Sequence, residues 1–278
     1  MKLSSLIDRL YILLLMTCIT VCLCAQEQTQ NSEFVPQVGQ NGKDVIWVPT
    51  PNELVYKMLE IAEVSPKDFV IDLGSGDGRT VIAAAKLGAK ALGIEYNPDM
   101  VALSKKNAEE AGVTGKTNFM NADLFECDLS EATVITMFLL PEINLKLRPR
   151  LLDLKPGTRI VSNTFTMKDW EPDNEVNTDE NSDSWTTALL WIVPAKVEGT
   201  WKFPGGELSF SQKFQMLSGT LKSDNKTSNI KDGRLKGDTI TFSSDGATYT
   251  GYIRGKTKMA GTATTNSAKW DWTATRTD

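Results

Sequence analysis

The 278-residue sequence contains no histidine. That absence removes the usual general base near neutral pH and the commonest metal ligand, so a metal hydrolase or a His-based nucleophilic triad is excluded. No metal is expected. Proton transfer must fall to carboxylates, Tyr, Lys or plain desolvation. Cysteine is scarce as well. Of four, Cys18, Cys22 and Cys24 lie in the first 25 residues, which leaves Cys127 alone in the rest of the chain with no partner for an internal disulfide. Cysteine usage therefore neither supports nor excludes export. An excess of positive charge is missing too. The formal net charge is −5, and neutralising a phosphate backbone needs clustered Lys and Arg, so nucleic acid is not the expected partner.

What is present, 41% hydrophobic and 23% charged residues, falls in the ordinary globular range and suffices for one large domain or two small ones. Residues 1–25 are a separate object. Lys2 and Arg9 precede an apolar run from Leu10 to Ala25, and polar Gln26-Glu-Gln-Thr-Gln follows. That is a signal-peptide layout. The run is shorter than the roughly 20 residues a spanning helix prefers, which favours a signal cleaved near Ala25 over an uncleaved anchor. The chain is thus expected to be exported or membrane-anchored rather than cytoplasmic. Residues 26–45 are polar and aperiodic, a linker, with order expected from about Val45.

A methodical alternation follows over 46–196. Thr50-Pro51-Asn52-Glu53 predicts a helix with Thr50 as cap, Pro51 in the first turn and Glu53 closing a capping box. Strands are predicted at Asp68–Asp72, Ala91–Glu95, Thr117–Ala122, Thr133–Leu140 and Thr158–Phe165. Helices are predicted at Arg79–Leu87, Asn97–Gly112 and Pro141–Leu154. Strands separated by helices make an α/β fold, Rossmann-like, with a mostly parallel sheet covered on both faces. From about Val197 the texture changes to Gly, Ser, Thr and spaced aromatics. Glu207–Phe214, Leu217–Lys222, Thr239–Ser243, Thr248–Arg254 and Lys269–Thr275 read as strands joined by turns such as Lys231-Asp-Gly233 and Ser244-Asp-Gly246. Residues 197–278 are therefore expected to form a small antiparallel β module that folds as its own unit and helps choose a substrate. Its tryptophans fill a core or present a contact surface.

The chemistry concentrates in Val70-Ile-Asp72-Leu-Gly74-Ser75-Gly76-Asp77-Gly78-Arg79. A carboxylate ends a strand, and three alternating glycines open a helix, allowing the backbone to turn tightly against a ligand at the carboxyl edge of the sheet. Glu95 ends the next strand, where a carboxylate accepts both hydroxyls of a ribose. Dinucleotide enzymes space their glycines G-x-G-x-x-G and set pyrophosphate on the helix N-terminus. Here the spacing is G-x-G-x-G with Asp77 inside, which suits a cationic sulfonium better than an anion. Asn121-Ala-Asp123-Leu124 follows the third strand, where an acid accepts from an adenine amine.

These residues, with Gly93-Ile-Glu-Tyr-Asn-Pro98, Leu140-Pro141 and Trp170-Glu-Pro-Asp173, resemble class I S-adenosylmethionine-dependent methyltransferases. More narrowly they are similar to the small protein-lysine methyltransferases that modify the ATP synthase c-subunit and the adenine nucleotide translocase. The resemblance spans about 47–192. It implies S-adenosylmethionine as cofactor, with Asp72, Gly74 and Gly76 on the methionine part, Glu95 on the ribose and Asp123 on the adenine. Ser75, Gly78, Asn97 and Leu124 complete the lining. It implies a protein substrate, with a membrane protein and membrane association through the N-terminal segment both in view. Leu140 and Pro141 would meet the acceptor, unless they merely end a buried strand. Trp170 and Asp173 would form its rim, unless Trp170 simply packs an exposed loop. The β module departs from the family's pattern, which leaves substrate identity open. No residue is identified as a base. Methyl transfer to an amine is an in-line displacement, driven by alignment and by loss of water. The competing readings are an exported binding protein on an inactive scaffold and a dinucleotide-dependent oxidoreductase.

Overall fold

The computed structural model describes residues 34–178 and 185–277. The signal-like segment 1–25 and the first part of the linker lie outside the described residues. Among the described residues, no helix is long and apolar enough to cross a membrane.

The first sheet has seven strands in the order β3-β2-β1-β4-β5-β7-β6. They are β1 (Phe69–Leu73), β2 (Lys90–Glu95), β3 (Thr117–Asn121), β4 (Val134–Met137), β5 (Arg159–Asn163), β6 (Asn174–Asn177) and β7 (Thr187–Ile192). The first five run parallel, and β7 and β6 add antiparallel. Four helices, α1 (Asn52–Ile61), α2 (Arg79–Lys86), α3 (Pro98–Glu110) and α4 (Pro141–Leu152), flank it. The strand side chains sort by parity into two cores. Val70, Val134 and Val161 join α1–α3 on one face, and Ile71, Leu73, Ile135, Met137 and Ile160 join α4 on the other.

Several expectations need correcting. Pro51, not Thr50, holds the N-cap position of α1 and no side chain caps it; Thr50 instead faces Asn163, whose Nδ2 lies 3.3 Å from its hydroxyl. β3 is an edge strand with Phe119 alone buried, not a buried strand. The polar strand β6 has no apolar alternation to reveal it, because it is an edge that pairs only with β7.

Beyond β7 the chain forms β8 (Gly199–Phe203), β9 (Gly206–Lys213), β10 (Met216–Ser223), β11 (Lys226–Asn229), β12 (Lys231–Lys236), β13 (Thr239–Ser244), β14 (Ala247–Arg254), β15 (Lys258–Thr264) and β16 (Lys269–Arg276). Their order is β11-β10-β12-β13-β14-β15-β16-β8-β9, and β10 also pairs with β9. The sheet thus closes on itself as an antiparallel barrel with β11 as an extra edge. Ser244-Asp-Gly-Ala247 is the tight hairpin foreseen, with Asp245 and Gly246 both at positive φ. Lys231–Gly233 is not a turn: it opens β12, with a register shift between Lys231 and Arg234. The barrel interior is filled by Trp201, Leu208, Phe210, Phe242, Trp272 and their neighbours. Residues 36–278 form one compact unit. Phe214 stacks on Trp170 with centroids 5.7 Å apart, and Gln215 Nε2 donates to the Glu171 carbonyl at 2.8 Å, which ties the barrel to the α4 face of the first sheet.

Candidate functional site

A cavity opens at the carboxyl edge of β1–β5, lined by residues 40–50, by Asp72 and the glycine loop, by Glu95–Asn97, by Ala122–Leu124 and by Met137–Leu140. No barrel residue lines it.

Asp72, next to last in β1, lies beside its register partner Thr136 on β4, whose hydroxyl donates to it at 2.7 Å. Burial pushes its carboxyl up to about 7, against the opposing hydroxyls of Thr136 and Thr80 and with help from the nearby Asp77 and Glu95. Glu95 spans the loop. Its Oε2 accepts from Gly76 N and its Oε1 from Asn97 N, each at 2.9 Å. Asn97 caps α3 by accepting from Asp99 N at 2.9 Å. Helix α3 then pins the loop from behind: the Ser104 hydroxyl donates to the Gly76 carbonyl at 2.7 Å and Asn107 Nδ2 to the Asp77 carbonyl at 2.9 Å. Ser104 and Asn107 were not singled out from sequence, since a polar residue on a helix reads as solvent-facing.

The glycines answer to protein packing as much as to a ligand. A Cβ on Gly76 would stand 2.6 Å from the Trp47 indole nitrogen, and one on Gly78 would stand 2.8 Å from the Phe119 ring. Both residues also hold positive φ. Asp77 does not project bare charge into the cavity either. Its carboxylate lies against Arg79 at 2.6 Å, and Arg79 in turn donates to the Thr50 carbonyl.

Asp123 accepts from Phe125 N at 2.9 Å and from Lys43 Nζ at 2.5 Å. The Lys43 hydrogen bond, then the Phe125 amide, hold its carboxyl below the usual range. Lys43 sits at the tip of a short hairpin, bridged at Asn41 and Ile46, whose far end brings Trp47 onto Gly76. The segment expected to be linker therefore forms one wall of the cavity.

The remaining end of the cavity is apolar: Phe138, Leu139, Leu140, Ile143, Phe165 and Trp185 line it. Leu140 is 42% exposed, while Pro141 starts α4 outside the lining. Trp170 and Asp173 are elsewhere. Trp170 is wholly buried between Trp191 and Phe214, because its large apolar surface joins the α4 core. Asp173 is spent on Arg234 of the barrel at 2.6 Å and on Ile192 N at 2.8 Å. Neither is part of an acceptor rim.

The donor set fits S-adenosylmethionine. Buried Asp72 and an unpartnered buried Ser75 hydroxyl sit at the loop, with Glu95 on β2 and Asp123 beyond β3 in succession along the edge. Five carboxylates line the cavity against Lys43 and Arg79, a field that favours a cation. Among the described residues, no cluster of three metal-ligating side chains occurs.

Known proteins agree with this geometry. The model of the ANTKMT methyltransferase domain matches residues 72–174, and a DNA methylase model matches residues 28–106. A protein-lysine N-methyltransferase of Saccharolobus islandicus is 46% identical over 152 residues, covering 54% of this chain and 94% of that protein. The lysine N-methyltransferase of the ATP synthase c-subunit from Homo sapiens is 37% identical over 123 residues, covering 44% of this chain and 51% of that protein. This chain thus spans about half the length of the human relative. A solved structure of an RNA methyltransferase from Salinibacter ruber in complex with S-adenosyl-L-homocysteine is 48% identical, with a TM-score of 0.51. It matches over 54% of this chain and 96% of its own.

Proposed function

Because the chain belongs to the protein-lysine N-methyltransferase family of S-adenosylmethionine-dependent enzymes, we propose that it methylates the side-chain amine of a lysine in a protein. The observation behind this reading is the division of the cavity, among the described residues, into a carboxylate-rich end over β1–β3 and an uncharged apolar end over β4 and β5. When bound, S-adenosylmethionine supplies a methyl group on a sulfonium, open to in-line attack by an uncharged amine. Asp72, Glu95 and Asp123 would hold it, with Ser75, Asn97 and Leu124 beside them.

The chain's own part at the acceptor end is to exclude water and align the amine. Leu139, Leu140 and Ile143 offer no titratable group, so a lysine entering there loses hydration. It sheds its proton more readily through desolvation and the repulsion of a neighbouring cation. A net acidic chain and a carboxylate-lined cavity disfavour an RNA backbone, which the name of the Salinibacter ruber protein would otherwise suggest. The inactive-scaffold and oxidoreductase readings are not favoured, since the acidic residues stand together at one edge.

Mass spectrometry of protein lysines after incubation with S-adenosylmethionine tests the proposal. Methyl-lysine in a protein supports it, and methylated RNA with unmodified protein rejects it. We also propose that residues 1–25 direct the chain into or across a membrane, supported by Lys2 and Arg9 ahead of the apolar run. A native product beginning near Gln26, or an intact membrane-bound chain, is expected. A soluble cytosolic product that retains Met1 rejects it.

A further inference from the structure

The end of the cavity away from the carboxylates is walled by three aromatic rings as well as by Leu139, Leu140 and Ile143. Phe138 follows β4, Phe165 lies two residues after β5, and Trp185 lies two residues before the antiparallel β7, so the topology delivers all three to one edge of the sheet. Phe138 stacks on Phe165 with centroids 5.8 Å apart and 19° between planes. It meets Trp185 at 5.7 Å and 65°. All three line the cavity, Phe138 and Phe165 half-buried and Trp185 42% exposed, so the rings are neither core nor free surface.

The backbone that presents them is strained. Thr164 has φ +58, a conformation that a β-branched residue rarely adopts, and Trp185 has φ +29. The Thr164 turn is over-determined. Its amide donates to the Thr187 carbonyl at 2.7 Å, its hydroxyl donates to Asn163 Oδ1 at 2.9 Å, and the Phe165 amide closes back on the Asn163 carbonyl at 2.6 Å. Strain held in this way beside a ligand cavity marks geometry fixed for use rather than for stability.

Resting on the lysine reading above, we infer that Phe138, Phe165 and Trp185 form an aromatic corner that admits the uncharged amine for attack and holds the methylated ammonium that results by cation–π contact. Among the described residues, the lining at this end has no carboxylate to pair with an ammonium, and ring faces supply the attraction. Methylation keeps the positive charge while stripping its hydration and hydrogen-bond donors. A ring face loses nothing by that change, whereas a carboxylate partner would. Phe165 is held in place by the Thr164 turn.

The test uses the full chain saturated with S-adenosylhomocysteine, with calorimetry of three probes: Nε-trimethyllysine amide, its neutral isostere carrying a tert-butyl group, and an RNA hexamer. The cation is expected to bind about five- to thirtyfold tighter than the isostere, the range for a desolvated cation over aromatic faces. Phe165→Leu and the more exposed Trp185→Leu should erase most of that preference. Affinity for S-adenosylhomocysteine should not change, and Phe165→Tyr should retain the preference. Equal binding of cation and isostere, no binding of either, or preference for the RNA overturns the inference. Methyl-lysine appearing in proteins without any cation preference would overturn it while leaving the lysine reading intact. A cation preference without any protein methylation supports the corner and rejects that reading.

Discussion

Lys43 Nζ sits 2.5 Å from Asp123 Oδ2, joining the hairpin tip of the N-terminal segment to the loop after β3. Lys43 also lies over the Tyr96 ring, 4.8 Å from its centroid. A cation therefore rests on the carboxylate assigned to the adenine amine, and the two donors compete for it. Replacing Lys43 by Ala is expected to tighten S-adenosylhomocysteine binding a few-fold, since the pair is partly exposed and easily exchanged. Asp123→Asn should weaken binding. Calorimetry on both variants checks this, and a weaker Lys43→Ala would mean that Lys43 helps to hold the cofactor.

Glu95 has both oxygens engaged by backbone amides, Gly76 N and Asn97 N. Each oxygen keeps lone pairs for a ribose hydroxyl, so the side chain both shapes the loop and binds. Glu95→Ala is expected to cost about 1.5–3 kcal/mol in cofactor binding, the range for hydrogen bonds to a charged group. That is roughly ten- to a hundredfold in Kd. Equal affinity for variant and parent would reject the ribose assignment.

Asp72 supplies a pH dependence. Its folded carboxyl titrates near 7, above the ordinary carboxyl range. Between about pH 4 and 7 the folded protein holds a proton that the unfolded chain has released. Asp72 therefore lowers stability progressively as pH rises through that window, by at most ~4 kcal/mol, and the loss is constant above it. Asp72→Asn keeps an acceptor for Thr136 and removes the titration. Urea unfolding at pH 5 and pH 8 should show the variant gaining on the parent at the higher pH. Binding of a cationic cofactor favours the ionised form, so parent affinity should fall as pH drops below 7, with proton release measurable in buffers of different ionisation enthalpy. An unchanged difference between the two proteins at both pH values would contradict this.

The parts legible in the sequence are those set by local chemistry. β1, α2, β2 and α3 announce themselves through an apolar run, a glycine loop, Asn97-Pro98 as cap and first turn, and Gly112 as stop. The same spacing put Asp72, Glu95 and Asp123 along one edge. What stayed hidden depends on partners distant in the chain. The pairing of β9 with β10 that helps to close the barrel, and β6 as an edge strand with Val176 as its one apolar residue, leave no local period. Trp170 and Asp173 were misplaced for the same reason: the family resemblance implied a rim, whereas Phe214 and Arg234, some 40 and 60 residues on, draw them into an interface. Ser104, Asn107 and Lys43 act on the cavity through backbone carbonyls and one ion pair, which no spacing encodes.

That interface gives the last prediction. The Asp173 side chain is only 7% exposed, and its charge is met by Arg234 from β12 and by the Ile192 amide. Removing the cation while leaving the carboxylate buried is costly, although Arg234 itself is 42% exposed and the loss is partly screened. Arg234→Ala is therefore expected to destabilise the protein by about 1–3 kcal/mol, below the range for a fully buried pair. The double variant Arg234→Ala with Asp173→Asn should recover part of it. Neither residue lines the cavity, so S-adenosylhomocysteine affinity should be unchanged in both. Truncation after Lys196 goes further, because it removes Phe214 from Trp170 as well as Arg234 from Asp173. The shortened chain should unfold at a lower temperature than Arg234→Ala, with exposed apolar surface detectable by dye binding. If it proves as stable as the full chain and keeps its cofactor affinity, the barrel is a separable unit. If it is destabilised as expected, the barrel also supports the fold of the methyltransferase sheet.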